Sequence, residues 1–226
     1  MTYPNVSPAA FLSRPNRFIA HILLGNEEIV CHVKNTGRCK ELLVPGATVY
    51  VQKSENPLRK TQYDLIAVRK GQRLINMDSQ APNRVFLEHL QSGRHIRGIT
   101  RIKPEAKYGN SRFDFYTEAG ARKIFIEVKG VTLEEDGVAL FPDAPTERGV
   151  RHLRELAQCV AAGYEAHVVF VVQMSGVRYF TPNDQTHAAF GEALRAAAAA
   201  GVKIVALDCA VKPNRLEIND EIPIKL

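Results

Sequence analysis

Three residues near the middle of this sequence have the types and spacing that phosphate chemistry uses: Asp114, Glu127 and Lys129. Side chains alternate between faces along a strand. In Arg112-Phe113-Asp114-Phe115-Tyr116 that alternation is expected to put both phenylalanines on one side and Arg112, Asp114 and Tyr116 on the other. In Ile124–Lys129, Ile126 and Val128 fall on the core side, and Phe125, Glu127 and Lys129 share the opposite one. A turn at Ala119-Gly120 makes the two segments neighbours, so one face carries two carboxylates and an ammonium. Hard divalent cations such as Mg²⁺ or Mn²⁺ take oxygen ligands, which makes Asp114 and Glu127 the expected metal ligands. The ion would acidify a water and neutralise phosphate charge, while Lys129 holds that water or stabilises charge growing on the phosphoryl group. Without a cation the carboxylates repel and one pKa rises. The plainer alternative is the solvent face of an edge hairpin, where Glu-x-Lys is common.

The flanking residues bear on that choice. Gly130 directly follows Lys129, as in a strand that opens near a ligand. Phe141-Pro142-Asp143-Ala144-Pro145-Thr146-Glu147-Arg148 forms a stiff lead-in to a helix. On that helix Arg148 and His152 share a face with Glu155, away from the apolar stripe, and form a basic pair suited to phosphate; a solvated helix face explains them too. Glu105, just ahead of the Asp114 strand, is a further acidic ligand, a base, or a surface loop residue.

The elements that must position these groups divide the chain in two. Residues 1–82 read as all-β, with strands at Phe18–Leu24, Glu28–Lys34, Thr48–Lys53, Tyr63–Lys70 and Arg73–Met77 and a loop at Asn35–Arg38. Short strands separated by turn signals suit a small barrel of the oligonucleotide-binding (OB) type. Ala81-Pro82-Asn83 marks the boundary, with a short helix at Val85–Gln91 beyond it. Residues 83–226 read as a mixed-sheet α/β domain. Its strands are Arg112–Thr117, Lys123–Gly130, Ala166–Val172 and Val202–Cys209, and its helices run from a Thr146 cap to about Ala162 and over Phe190–Ala200. Residues 212–226 read as charged and irregular.

The 226 residues include 45% hydrophobic and 24% charged types, which is ordinary globular composition. The formal charge of +6 is uneven: residues 1–82 hold 11 Lys/Arg against 6 Asp/Glu, net +5. A basic first part suits a polyanionic partner. Arg14, Arg17, Lys34, Arg38, Lys40, Arg59 and Lys60 are the candidate phosphate contacts there, joined by Arg112, Arg148 and His152 from the second part. Tyr50 and Tyr63 are candidate stacking residues. Cys31, Cys39, Cys159 and Cys209 lack zinc-ligand spacing and read as free thiols of a reducing compartment. With neither a secretory signal nor an apolar run of membrane-spanning length, a cytoplasmic protein is expected. A homodimer suits nuclease-like folds, although nothing specific in the sequence asks for one.

The chain closely resembles the sugar fermentation stimulation protein A family. The resemblance rests on Arg14–Phe18, His32–Arg38, Asn56–Thr61, Ser111–Phe115, Glu127–Leu133, Phe141–Gly149 and His152–Leu156, which span nearly the whole chain in order. It implies an OB barrel joined to a restriction-endonuclease-like domain of the PD-(D/E)xK type. It further implies DNA binding without strong sequence preference and a link to the regulation of sugar (maltose) metabolism. Asp114 matches the motif's aspartate, Glu127 and Lys129 match its (D/E)xK part, and Glu105 is favoured as an upstream acidic member. Two functions follow as expectations: a DNA-binding protein with a Mg²⁺-dependent nuclease site, or a DNA-binding regulator without catalysis.

Overall fold

A computed structural model describes residues 1–35 and 37–226; Thr36, in the loop expected at Asn35–Arg38, lies outside the described residues. The first part is built on strands β1 (Val6–Asn16), β2 (Ile19–Leu24), β3 (Glu27–Val33), β4 (Thr48–Lys53), β5 (Tyr63–Lys70) and β6 (Arg73–Asn76). Their order is β3-β2-β1-β4-β5-β6, and an additional β3–β5 pairing closes the first five into an OB-like barrel.

The sequence reading missed β1 because Pro8 and Pro15 speak against a strand. The ladder explains how both are tolerated. Val6–Ala10 pair with β4, whereas pairing with β2 begins only at Ala10. Pro8 therefore has a free edge on the side where its missing N–H would be needed, and Pro15 falls within a register shift.

The second part centres on a six-stranded mixed sheet. Its strands are β7 (Ile99–Tyr108), β8 (Ser111–Ala119), β9 (Arg122–Val131), β12 (Glu165–Val172), β14 (Lys203–Lys212) and β15 (Arg215–Glu221), in the order β15-β14-β12-β9-β8-β7. The neighbours β9, β12 and β14 run parallel, and the outer strands are antiparallel. Helix α1 (Ala81–Gln91) covers one face; α2 (Glu147–Ala161) and α3 (Asp184–Ala199) cover the other. A small sheet of β10 (Leu133–Glu135), β11 (Val138–Phe141) and β13 (Tyr179–Pro182) flanks it.

Two expectations are corrected here. Residues 215–221 are not irregular: Leu216 and Ile218 are buried while Arg215, Glu217 and Asn219 are more exposed, the period-two pattern of an edge strand. Helix α1 starts at Ala81, with Pro82 in its first turn, rather than at Val85. Proline lacks only an N–H that the first turn leaves unbonded anyway, and the earlier start brings Asn83 into the helix. Thr146 does cap α2, its side chain accepting from Gly149 N.

The two parts share packing. One continuous core contains Phe11, Ile22 and Val51 of the barrel together with Phe113, Phe125 and Phe170. Polar contacts stitch the junction. Gln173 Nε2 donates to Asn76 O (3.1 Å), Asn76 Oδ1 (2.9 Å) and Asp78 O (3.1 Å). Glu134 of β10 accepts from Lys70 and Arg73 of the β5–β6 hairpin. All four cysteines are free and buried. No helix among the described residues is long and apolar enough to cross a membrane.

Candidate active site

Asp114 stands where β8 parts from β9. The antiparallel ladder between them runs inward from Ala119/Arg122 and ends at Phe115/Ile126. Beyond that point the Val128 N–H donates to Asp114 Oδ2 at 2.8 Å, so a carboxylate replaces the missing strand partner. Asn83 Nδ2, from the first turn of α1, donates to Asp114 Oδ1 at 2.7 Å. The bend separates the two phenylalanines expected to share a face. Phe113 packs with Phe125 and His152 on the α2 side, and Phe115 packs with Phe86 of α1. Strict alternation failed there because β8 turns away at the residue between them.

On β9 the expected alternation is present. Ile124, Ile126 and Val128 face the α1 layer, and Phe125 faces the α2 layer. Glu127 faces α2 as well: its Oε1 receives Lys129 Nζ at 2.5 Å and His152 Nδ1 at 2.6 Å. Because β9 lies inside the sheet, Glu127 is only 4% exposed, which removes the edge-hairpin alternative for this residue. His152 is 2% exposed and so is not on a solvated helix face. Arg148 Nε donates to His152 Nε2 at 3.3 Å. With Nε2 accepting, the imidazole proton resides on Nδ1 and points at Glu127. The chain of contacts is Arg148 to His152 to Glu127, with Lys129 on the same carboxylate oxygen.

These surroundings push the two acids in opposite directions. Burial alone would raise the Glu127 pKa, but the His152 hydrogen bond and the Lys129 charge outweigh it and hold Glu127 below the usual range. Asp114 is raised, first by burial and then by the negative charge of Glu127, against the opposing Val128, Asn83 and Lys129 interactions. Paired acids with separated pKa values are the arrangement that acid–base and metal sites use.

Glu105 sits on β7 opposite Asp114, bracketed by the Pro104–Phe115 and Ala106–Phe113 pairs. Its φ of +52° marks a local distortion of the edge strand. The side chain is exposed, with Arg112 Nη1 at 3.5 Å. Among the described residues, no three His, Cys, Asp or Glu side chains gather closely enough to hold a metal ion. The donor set that is present still fits an oxygen-seeking cation in one respect. Glu127 Oε2 is buried without a hydrogen-bond partner, beside a second carboxylate that its charge destabilises. A cation there would satisfy both.

The basic residues fall into two groups. Arg14 is committed internally, donating to the carbonyls of Arg17, Asn35, Gly37 and Arg38. Arg59 forms a two-point pair with Asp64 (2.6 and 3.0 Å), and Lys34 lies between Asp64 and Asp78. Arg17, Arg38, Lys40 and Lys60 are exposed and, among the described residues, engage no carboxylate. Arg17, Arg38 and Lys40 line a groove of about 710 Å³ on the barrel. Tyr50 and Tyr63 are half-buried. The exposed aromatic is Phe18, at the β1–β2 turn, with the Arg17 guanidinium 6.0 Å from its ring centre. The sequence reading passed over it as part of a strand. It also missed Asn83 and the true partner of His152, since sequence spacing does not couple groups 31 and 25 residues apart.

The model of the sugar fermentation stimulation protein RE domain matches residues 80–215, and that of the SfsA N-terminal OB domain matches residues 12–77. A sugar fermentation stimulation protein homolog of Desulfitobacterium hafniense (strain Y51) is 62% identical over 226 residues, covering 100% of this chain and 99% of that protein. A homolog of Ruminiclostridium cellulolyticum is 56% identical over 226 residues, covering 100% of both. Among solved structures, that of Pyrococcus furiosus SfsA in complex with Ca²⁺ is similar with a TM-score of 0.89 and 28% identity, covering 100% of this chain and 98% of that one. With both family models matched in order and full-length relatives at this identity, the chain belongs to the sugar fermentation stimulation protein (SfsA) family.

Proposed function

We propose that this protein binds DNA largely without regard to sequence and carries a divalent-cation-dependent phosphodiesterase site in a restriction-endonuclease-like second domain of the PD-(D/E)xK type. The domains would be residues 1–82 and 83–226. The observation that carries the reading is the meeting of Asp114, Glu127 and Lys129 at one end of β9, with a buried oxygen of Glu127 lacking any partner. Asp114 and Glu127 would hold Mg²⁺ or Mn²⁺, with Glu105 as an outer acid. The structure of the relative from Pyrococcus furiosus in complex with Ca²⁺ supports an oxygen-ligand site in this fold. The cation supplies charge neutralisation at the phosphate and acidifies water. Lys129 would stabilise charge on the phosphoryl oxygens, and Arg148, exposed beside His152, would contact the phosphate backbone. Arg17, Arg38, Lys40 and Lys60 supply sequence-independent phosphate contacts. Arg14, Arg59 and Lys34 serve mainly to shape the loops that present them. The family name motivates the link to sugar metabolism.

The test is incubation of the purified protein with single- and double-stranded DNA and RNA in Mg²⁺, Mn²⁺ or EDTA. Cleavage that requires the cation and disappears in Asp114→Asn, with binding retained, supports the reading. Binding without cleavage under every condition supports the second reading, a DNA-binding regulator without catalysis. One observation favours that alternative: both Asp114 oxygens are already hydrogen-bonded within the chain.

A further inference from the structure

The barrel groove meets a second cavity. A pocket of about 340 Å³ opens beside Gly130, the residue after Lys129, and is walled by Ser79, Val131, Thr132 and Thr146. Groove and pocket have Gly37 and Ala144 in common. The barrel loop and the loop ahead of α2 are in close contact at this junction: a Cβ added to Gly37 would lie 2.5 Å from Asp143 Oδ2.

We propose that one nucleic-acid strand occupies both cavities, its phosphates along the barrel groove and an unstacked nucleotide in the pocket beside Gly130. The inference rests on the nucleic-acid reading above and adds that the occupant is single-stranded. Charge distribution carries it. The groove is lined by Arg17, Arg38 and Lys40, and the pocket by no lysine or arginine. The pocket instead offers one carboxylate, Asp143, which repels phosphate, and the uncharged polar groups Asn35, Ser79, Thr132, Thr146 and Gln173. Phosphates belong with the first lining, and the edges of a base or sugar with the second. Size points the same way, since 340 Å³ is at the lower end of small-ligand sites and admits no duplex. Phe18 is 51% exposed beside Asn16 and Arg17 at the groove's lip. An exposed aromatic next to a basic groove is the stacking platform that single-strand binders use.

Photo-cross-linking of the full chain in EDTA tests this. The probe is an oligonucleotide of about 12 nucleotides carrying 5-iodouracil at each position in turn. One position is expected to label the Phe18 peptide, and another, at a fixed offset, the 140–146 segment. Ala144→Trp is expected to abolish the second label and keep the first, and Phe18→Ala to weaken single-strand affinity about ten-fold. If the probe binds but labels only one of the two segments, or if Ala144→Trp leaves both labels in place, the shared track is overturned while DNA binding stands. If no strand binds at all, the nucleic-acid reading falls with it.

Discussion

His152 Nδ1 lies 2.6 Å from Glu127 Oε1, the oxygen that also receives Lys129, and both His152 and Glu127 are almost fully buried. One oxygen of the carboxylate is thereby fixed by two donors, and the other, Oε2, is left as the free acceptor. This makes His152 a positioning residue for Glu127. It sets the orientation of the carboxylate and favours its ionised form.

Replacing His152 with Asn removes that hydrogen bond. The lowering effect of His152 is lost while that of Lys129 remains, so the Glu127 pKa rises and the acid limb of any cation-dependent activity moves to higher pH. Cation affinity is expected to fall about 10- to 100-fold, the usual cost of losing a group that orients a ligand. A pH profile of Mn²⁺ binding checks both. A merely structural role would lower stability without moving the profile.

Asn83→Ala removes the donor to Asp114 Oδ1. Asp114 already has a raised pKa from burial and the Glu127 charge, so losing a stabilising hydrogen bond raises it further. The acid limb again shifts upward, with about a ten-fold loss of cation affinity. Helix α1 is expected to remain intact, since Asn83 is exposed and contributes nothing to the apolar layer beneath it. Far-UV circular dichroism beside a Mn²⁺ titration separates the two effects.

Basic residues in the barrel are expected to divide by role. Arg14 donates to four backbone carbonyls, so Arg14→Ala should cost about 2 kcal/mol or more in urea unfolding. Arg38→Ala and Lys40→Ala should leave stability within about 0.5 kcal/mol. Each should instead reduce the slope of log binding constant against log salt by about one. Equal destabilisation by all three would contradict the division.

A histidine cluster at the far end of β12 gives the fold a pH dependence of its own. His95 Nε2 and His167 Nδ1 are 3.1 Å apart. Burial, reinforced by His167 and Lys203, brings the His95 pKa to about 3. Burial and Lys203 bring that of His167 to about 4. Above the unfolded-state value of about 6.5 both rings are neutral, folded or unfolded, and pH has no effect through them. Below it the unfolded chain takes up protons that the folded chain refuses, so stability falls as pH drops towards 4. Urea midpoints measured from about pH 7.5 down to about pH 4.5, which spans the upper part of that window, should decline. His167→Phe should flatten the decline.

Legibility in the sequence followed the strength of local signals. The face carried by Phe125, Glu127 and Lys129, the Thr146 cap and the buried strand at Ala166–Val172 could be read because each depends on period or capping chemistry within a few residues. Strands β1 and β7 could not, since each contains a proline tolerated only because of a locally unpaired edge. The side on which Phe113 falls depends on where β8 leaves β9, a tertiary event that alternation does not record. His152 illustrates the same limit within the site. Its helical face was misjudged because a polar residue on a charged stretch looks solvent-facing until a buried carboxylate appears opposite it.

The central claim is that Asp114 and Glu127 together hold a divalent cation, and calorimetric titration of the purified protein with Mn²⁺ tests it most directly. The account predicts one site in the wild-type chain that is lost in both Asp114→Asn and Glu127→Gln while each variant remains folded. Absence of Mn²⁺ uptake by the folded wild type, or uptake unchanged in the two variants, would contradict it.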